Sequence, residues 1–231
     1  MTDALIQLEA EIELIPTALQ ARALGSILGK VSEKTSDCVR QGQRCVALID
    51  LANLLGGLSE AGVKSAAENA VTQSLEIGEL LATAKTADDL GAIDEDYGQL
   101  PTALRDLDQQ VRFLWNIRSK SDYASLIPVG HLVGRIAGAE ALGASLVETG
   151  QRAEALAART QPAETLAPEI AKLKADRGKA LEEMAAFTAS PEVDRFLEAV
   201  TKGAATLEMV TPTVAAWLKK HEALGAFKVT G

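Results

Sequence analysis

Aromatic side chains are scarce in this chain. Phe, Trp and Tyr make up 3% of its 231 residues, although hydrophobic residues of all kinds reach 47%. The apolar content is therefore mostly Ala, Leu, Ile and Val, and the aromatic residues that favour strands are rare. Strict alternation of apolar and polar residues is rare, and its longest instance, residues 6–14, contains three Glu and no aromatic residue, which does not favour a strand. These absences argue against a sheet and predict an all-α protein.

Cysteine and histidine are also few, with two of each. Cys38 and Cys45 are seven residues apart, which is roughly 10 Å along a helix and too far for a disulfide. We expect both to be buried thiols. His131 and His221 are distant in sequence, and the four residues show no metal-ligand spacing. The sequence therefore predicts no metal, no cofactor and no small-molecule ligand.

Long apolar runs are missing as well. No uninterrupted apolar run reaches the 18 residues or so that a membrane-spanning helix needs. The first ten residues are acidic and amphipathic rather than basic and then apolar, which does not fit a secretory signal. We expect a cytoplasmic protein.

Positive charge is in short supply in the first half of the chain. Residues 1–110 carry 8 Lys and Arg against 18 Asp and Glu, whereas residues 111–231 carry 15 against 14, and the net charge is −9. An acidic chain repels phosphate backbones, so nucleic-acid binding is not predicted. The acidic half either aids solubility, which is the favoured interpretation, or faces a basic partner.

A seam of apolar residues runs through residues 90–114. Its steps alternate three and four, the spacing of a helix that buries one narrow face, as in a coiled coil. The seam consists of Leu90, Ile93, Tyr97, Leu100, Leu104, Leu107, Val111 and Leu114. Pro101 interrupts it, and a proline in a helix interior costs about 3 kcal/mol. We therefore predict a break or kink near Leu100, with Pro101 opening the next helix.

Breakers and capping residues place the other helices. They are predicted over Thr2–Leu28 with a bend at Pro16, Ser36–Leu55 ending at Gly56-Gly57, Ser59–Ala84 followed by a cap at Thr86, Pro101–Arg118, Pro128–Leu142, Leu146–Thr160, Pro168–Thr188, Pro191–Thr201 after Ser190, and Pro212–Leu224.

The chain resembles itself at a spacing of about 85 residues. The run from Pro16 to Leu19 recurs as Pro101 to Leu104, the apolar seam at residues 5–19 aligns with residues 90–104, and residues 58–73 resemble residues 146–161. Weaker matches recur near residues 195 and 223. Such self-similarity is typical of stacked supersecondary units, although helices rich in Ala and Leu also resemble one another by composition. We predict a helical unit over 1–85, a similar unit over 86–165 and a C-terminal helical segment over 166–231, in which the weaker matches suggest a divergent partial third unit.

Gly130, Gly134 and Gly138 form a glycine stripe at intervals of four residues. Each glycine in a helix interior costs about 1 kcal/mol relative to alanine, so three in register predict that another backbone comes very close. The favoured interpretation is tight packing inside a bundle. The alternative is a helix that enters a membrane after a rearrangement, against which the charges of Arg135 and Glu140 count.

Phe113, Trp115 and Trp217 hold much of the aromatic area. Phe113 and Trp115 flank the seam residue Leu114, so at least one of them must lie at a second interface, within the fold or with a partner. Core packing is the favoured interpretation. Together with the glycine stripe, these three residues are the candidate interaction and close-packing residues.

Two stretches resemble known binding loops without meeting their requirements. Residues 25–32 have three residues rather than four between the glycines, and Val31 instead of a hydroxyl residue follows Lys30. Residues 94–98 begin like a calcium loop, but Arg105 stands where the twelfth-position glutamate belongs. No catalytic residue is predicted, and an enzyme is disfavoured. A helical enzyme whose site is built from distant carboxylates stays open, because sequence alone cannot show them converging.

These observations predict an all-α, antiparallel bundle of long amphipathic helices that is internally duplicated. The predicted function is that of a non-catalytic interaction or scaffold protein, which binds partner proteins or associates with itself through helix faces.

Overall fold

In a computed structural model the chain is helical, and the residues described, 2–84, 89, 93, 97–223 and 227, include no strand; for residues 2–21, 23 and 24 the backbone alone is described. The predicted all-α class is confirmed over this part of the chain. The helices are α1 (Thr2–Leu54), α2 (Ala61–Thr83), α3 (Gln99–Tyr123), α4 (Leu126–Val133), α5 (Glu140–Ala157), α6 (Ala163–Thr188), α7 (Pro191–Thr201) and α8 (Pro212–Lys220), with a 3₁₀ turn at Leu207–Met209.

The chain divides into two compact units. Unit 1 comprises Met1–Asn53 and Gly57–Gln110, and unit 2 comprises Leu54–Gly56 and Val111–Gly231. The division between the two units falls inside α3. The units predicted over 1–85, 86–165 and 166–231 were defined by sequence similarity and not by compactness, so they stay a prediction.

Unit 1 is built on the apolar seam. Leu100, Leu104 and Leu107 of α3 are fully buried, and Ile93 and Tyr97 continue the seam towards the N-terminus, with Ile93 buried and Tyr97 half-buried. Val111 and Leu114 extend the buried face of α3 into unit 2. The predicted seam residues that the structure describes are thus all buried except Tyr97. Other buried residues of unit 1 are Leu48 and Leu51 of α1 and Val63, Ala70 and Ile77 of α2.

Several helix ends lie where turn chemistry predicts them. α1 ends at Leu54, followed by Gly56 with φ +70° and a 2.9 Å hydrogen bond from the Gly57 N–H to the Ala52 carbonyl, which closes the last turn. α3 begins at Gln99 after a turn at Gly98, so the break precedes Pro101 as predicted.

α7 also starts where it was predicted to start. Ser190 caps it by accepting a 3.2 Å hydrogen bond from the Glu192 N–H, Pro191 occupies the first helical position, and the helix runs to Thr201. Such a cap contributes about 1 kcal/mol to helix stability.

Other helix bounds differ from the predictions. α1 continues through residues 29–35, where a break was predicted. The hydroxyls of Thr35 and Ser36 donate to carbonyls one turn earlier, an arrangement that is compatible with a helix. α6 begins at Ala163 and includes Pro168, which was predicted to open it. Leu166 and Ile170 are buried on either side of that proline, and their packing holds the helix together.

The predicted helix over Pro128–Leu142 is two helices. α4 ends at Val133, and residues 134–139 form a turn in which Gly138 adopts φ +81° and the Ala139 N–H donates to the Ile136 carbonyl at 3.0 Å. α5 begins at Glu140, six residues before its predicted start, and ends at Ala157. The ends of α2 differ from prediction by only one or two residues, and α8 begins at Pro212 as predicted.

Some sequence predictions lie outside the described residues. These are the seam residue Leu90, the cap at Thr86, the acidic run Asp94–Asp96, the end of the last helix at Leu224, and the side chains of the N-terminal seam with Pro16.

In unit 2, α4 packs on α5 and α7, α6 packs on α5 and α7, and α7 packs on α8. Arg152 of α5 pairs with Asp176 of α6 at 2.7 Å. Arg112 of α3 donates to three successive carbonyls of the α5–α6 loop, those of Arg159, Thr160 and Gln161. Loop carbonyls have no partner within a helix, so this guanidinium satisfies acceptors that would otherwise need water.

Candidate interaction surfaces

The glycine stripe lies at the contact between α4 and α5. A methyl group added at Gly130 would come within 2.7 Å of the Gly143 carbonyl oxygen and 2.8 Å of the Val147 side chain. One added at Gly134 would lie 3.7 Å from the Gly143 Cα. Two of the three predicted glycines therefore stand where the backbones of two helices of the same chain come together.

Gly138 does not belong to this contact. It lies in the turn after α4 and a methyl group there would meet nothing within 4 Å; its φ of +81° explains the glycine instead. The sequence analysis missed the glycines of α5, Gly143 and Gly150, which are seven residues apart and share a helix face. A methyl group at Gly150 would lie 2.6 Å from the Ile127 side chain of α4. Their heptad spacing was the available signal.

The aromatic residues that flank Leu114 have opposite environments. Trp115 is buried and its ring meets Tyr123 edge to face, with centroids 5.9 Å apart. Phe113 is 63% exposed, and Ile117, one turn further on, is also exposed. Leu114 and Trp115 thus occupy the core of unit 2, and Phe113 is the residue that points elsewhere.

Trp217 belongs to an aromatic cluster at the end of α8. Its indole N–H donates to the Phe187 carbonyl of α6 at 3.1 Å, and its ring lies edge to face with Phe187 at 5.4 Å between centroids. The His221 ring lies 4.7 Å from Phe187 and 5.1 Å from Trp217. Burial lowers the pKa of His221, and the charge of Lys220 lowers it further. The arrangement fixes α8 on α6 and is structural in character.

α1 carries an exposed apolar stripe that sequence reasoning did not single out. Leu28, Val39 and Val46 are 68%, 55% and 59% exposed. Val39 and Val46 follow Leu28 by 11 and 18 residues, about three and five turns at roughly 3.6 residues per turn, so the three share one helix face. We call these residues the α1 stripe. The spacing is present in the sequence, but Ser32, Thr35 and Gly42 lie on the same helix face and interrupt the apolar pattern.

The α1 stripe faces away from the core of unit 1. Leu48 and Leu51, which are buried, follow Leu28 by 20 and 23 residues, about half a turn out of phase with the stripe. No described residue from Gly25 to Arg44 is buried. This stretch contacts the rest of unit 1 at Tyr97, over whose ring the Lys34 ammonium lies at 4.9 Å. α1 therefore has one apolar face inside the unit and a second in solvent.

Neither cysteine lies in an environment that would activate its thiol. Burial raises the pKa of both cysteines, and at Cys45 a hydrogen bond with Ser74 opposes the rise. Because the thiolate is the reactive form, both are weak nucleophiles. Cys45 is buried as predicted, whereas Cys38 is half-buried. Within the described ranges, no three His, Cys, Asp or Glu side chains converge as metal ligands would.

Among the helices that the structure describes, none is both long enough and apolar enough to span a bilayer. Comparison of the chain with protein families, with curated proteins and with solved structures found no match.

Proposed function

We propose that this protein is a non-catalytic helical interaction protein that binds copies of itself or partner proteins through the α1 stripe. The observation that carries the proposal is the exposed apolar face of Leu28, Val39 and Val46, opposite the buried face of the same helix.

The length of α1 supports the proposal. A helix of 53 residues is about 80 Å long, whereas the 23 residues of α2 span about 35 Å. Helical stability in proteins comes mostly from packing of an apolar face, because isolated helices are marginal in water. A stretch of twenty residues without a buried side chain gains little from its own unit. Covering its stripe would add roughly 25 cal/mol for each Å² of apolar surface removed from water.

The first test measures molecular mass. We expect light scattering to give a multiple of 24.3 kDa for the wild-type chain. The triple variant Leu28→Ser, Val39→Ser, Val46→Ser should shift the mass towards that of one chain, because it removes the apolar contact. Leu75→Ser is the matched control, since Leu75 is a 63% exposed leucine on α2, and it should leave the mass unchanged.

A second arm covers partner proteins. If the wild type has the mass of one chain, self-association is ruled out, and the proposal then requires a partner captured from the native cell by the wild type and the control. Two results would overturn the proposal. One is that the triple variant captures the partner to the same extent as the wild type. The other is that the wild type, the triple variant and Leu75→Ser all capture no partner.

We also propose that the helices form an antiparallel, internally duplicated bundle. The support is the sequence: the identical run Pro-Thr-Ala-Leu at residues 16–19 and 101–104, continued by the resemblance between residues 58–73 and 146–161. An experimental structure in which residues 2–84 and 87–165 fail to superpose helix on helix would contradict the duplication.

A further inference from the structure

Unit 2 contains an apolar groove of about 640 Å³ at the contact of α4 with α7, which we call the α4–α7 groove. Leu132 of α4 and Phe196 of α7 are buried, and both line it. Val200 continues the α7 wall, and Phe227 packs on Phe196 with ring centroids 5.5 Å apart. Leu207 lines the groove from the 3₁₀ turn although 80% of it is exposed. The groove thus has a buried apolar floor and an apolar lip in solvent.

The end of α7 shapes the groove. Gly203 has φ +66°, its N–H donates to the Val200 carbonyl at 3.1 Å, and the Ala204 N–H donates to the Ala199 carbonyl at 2.8 Å. This pair of hydrogen bonds is a Schellman motif, which turns the chain sharply after a helix. It directs the following residues, including Leu207, alongside α7 instead of away from it.

The ionisable groups of the groove are all basic residues. His131 and Arg135 line it from α4 and the turn that follows, and none of the described residues that line it is acidic. Over the part of the chain that the structure describes, no carboxylate forms an ion pair with Arg135. In a chain with a net charge of −9, an apolar groove with only basic groups at its rim is electrostatically suited to an anion.

We propose that the α4–α7 groove binds a single-chain amphiphile with a carboxylate head. The alkyl chain lies against Leu132, Phe196 and Leu207, and the carboxylate accepts hydrogen bonds from the Arg135 guanidinium, with His131 beside it. Small-molecule sites commonly have volumes of about 300–1,000 Å³ and apolar walls with a few polar groups. A guanidinium matches a carboxylate with two parallel donors, which orients the ligand with its head at the rim.

The proposal goes beyond the interaction function and does not depend on it. The sequence offered no sign of a ligand, because the lining residues come from α4, α7 and the segment after it, which are separated by some sixty residues. The α1 stripe belongs to unit 1 and is absent from this site, so either proposal can fail alone.

The test is titration calorimetry of the full chain with decanoate, decan-1-ol and vesicles of phosphatidylglycerol. We expect saturable binding of one decanoate per chain and about tenfold weaker binding of decanol, since the alcohol lacks the charge. Arg135→Gln should weaken decanoate binding about tenfold and leave decanol binding unchanged. Leu207→Asp should abolish binding of both, because it places a carboxylate at the apolar lip.

Matched controls separate the site from the general surface. Phe113→Asp changes another exposed apolar residue of unit 2, and Lys172→Gln removes an exposed base of α6; neither lines the groove, and both should bind decanoate like the wild type. Equal affinity for decanoate and decanol, wild-type binding by Leu207→Asp, or no saturable binding would overturn the proposal. Binding to the vesicles without binding of monomeric decanoate would also overturn it, and would assign the surface to membranes.

Discussion

Gly143 is the most tightly enclosed glycine of the α4–α5 contact. A methyl group at this position would lie 2.5 Å from both the Cα and the N of Gly134 and 2.6 Å from the Gly130 carbonyl oxygen. All three atoms belong to backbone, which cannot rotate away as a side chain can. The two helices would therefore have to separate, and contacts along their length would loosen.

Replacement of Gly143 by alanine should therefore destabilise the protein. We expect Gly143→Ala to lower the free energy of unfolding by about 1–3 kcal/mol, the usual range for overpacking. Gly178→Ala in α6 is the matched control, because a methyl group there meets nothing within 4 Å. It should raise the stability by about 1 kcal/mol through helix propensity. Urea unfolding measures both, and equal effects of the two substitutions would contradict the close-contact interpretation.

Residue-level prediction from sequence succeeded where a pattern is local. The burial of Leu104 and Leu107 follows from their helical period alone. The heptad spacing of Gly143 and Gly150 could have marked both as close-packing residues. Which backbone Gly130 meets depends on the turn at residues 134–139, which no periodicity encodes. The exposure of Phe113 beside the buried Trp115 likewise depends on what covers each side of α3.

Helix ends were likewise predictable where the signal is local and not where long-range packing decides. The ends at Gly56 and Ser190 were predictable, because capping and left-handed glycine act within a few residues. The continuity of α6 through Pro168 was not, since buried neighbours outweigh the intrinsic preference of proline. Likewise, no local rule predicts that the described helices of unit 1 leave the α1 stripe uncovered.

The junction of α8 with α6 should depend on pH through His221. The folded state lowers the pKa of His221 below its ordinary value of 6.5, chiefly by burial, so in the folded protein the neutral ring is favoured. Between the lowered pKa and 6.5 the unfolded chain binds more protons, and stability rises with pH. We therefore expect the His221 contribution to be complete above pH 6.5 and to be lost as the pH falls below it.

Urea midpoints at several pH values and constant ionic strength measure this contribution. His221→Phe keeps an aromatic ring beside Phe187 and Trp217 but cannot titrate, so it should lose less stability than the wild type as the pH falls through 6.5. Phe113→Leu, at an exposed residue outside this cluster, leaves His221 in place and should keep the wild-type pH dependence. A His221→Phe variant with the same pH dependence as the wild type would refute the assignment.

At the scale of the whole molecule, the sequence predicted the helical class and the absence of strands in what the structure describes. The division between the two compact units falls within α3. No sequence signal marks this point, because α3 buries apolar residues along its whole length. The α4–α7 groove was unpredictable for a related reason: its lining residues are brought together by packing of distant segments and share no spacing in the chain.

Thermal unfolding offers a second measure of association through α1. If copies of the folded chain bind one another through the α1 stripe, mass action raises Tm with protein concentration. We expect Tm to rise across a roughly hundredfold range of concentration for the wild type and for Leu75→Ser, and to stay constant for the triple stripe variant. A concentration-independent Tm of the wild type would exclude self-association.

The bare stretch of α1 between Gly25 and Arg44 has a consequence for backbone dynamics. Its hydrogen bonds are shielded by few side chains, so they can open locally while the core around Leu48 and Leu104 stays intact. Amide protons along this stretch should then exchange with deuterium well before those of the core. A molecule bound along this stretch would slow the exchange of the amides that it covers. Amide exchange would therefore report directly whether the stretch is covered.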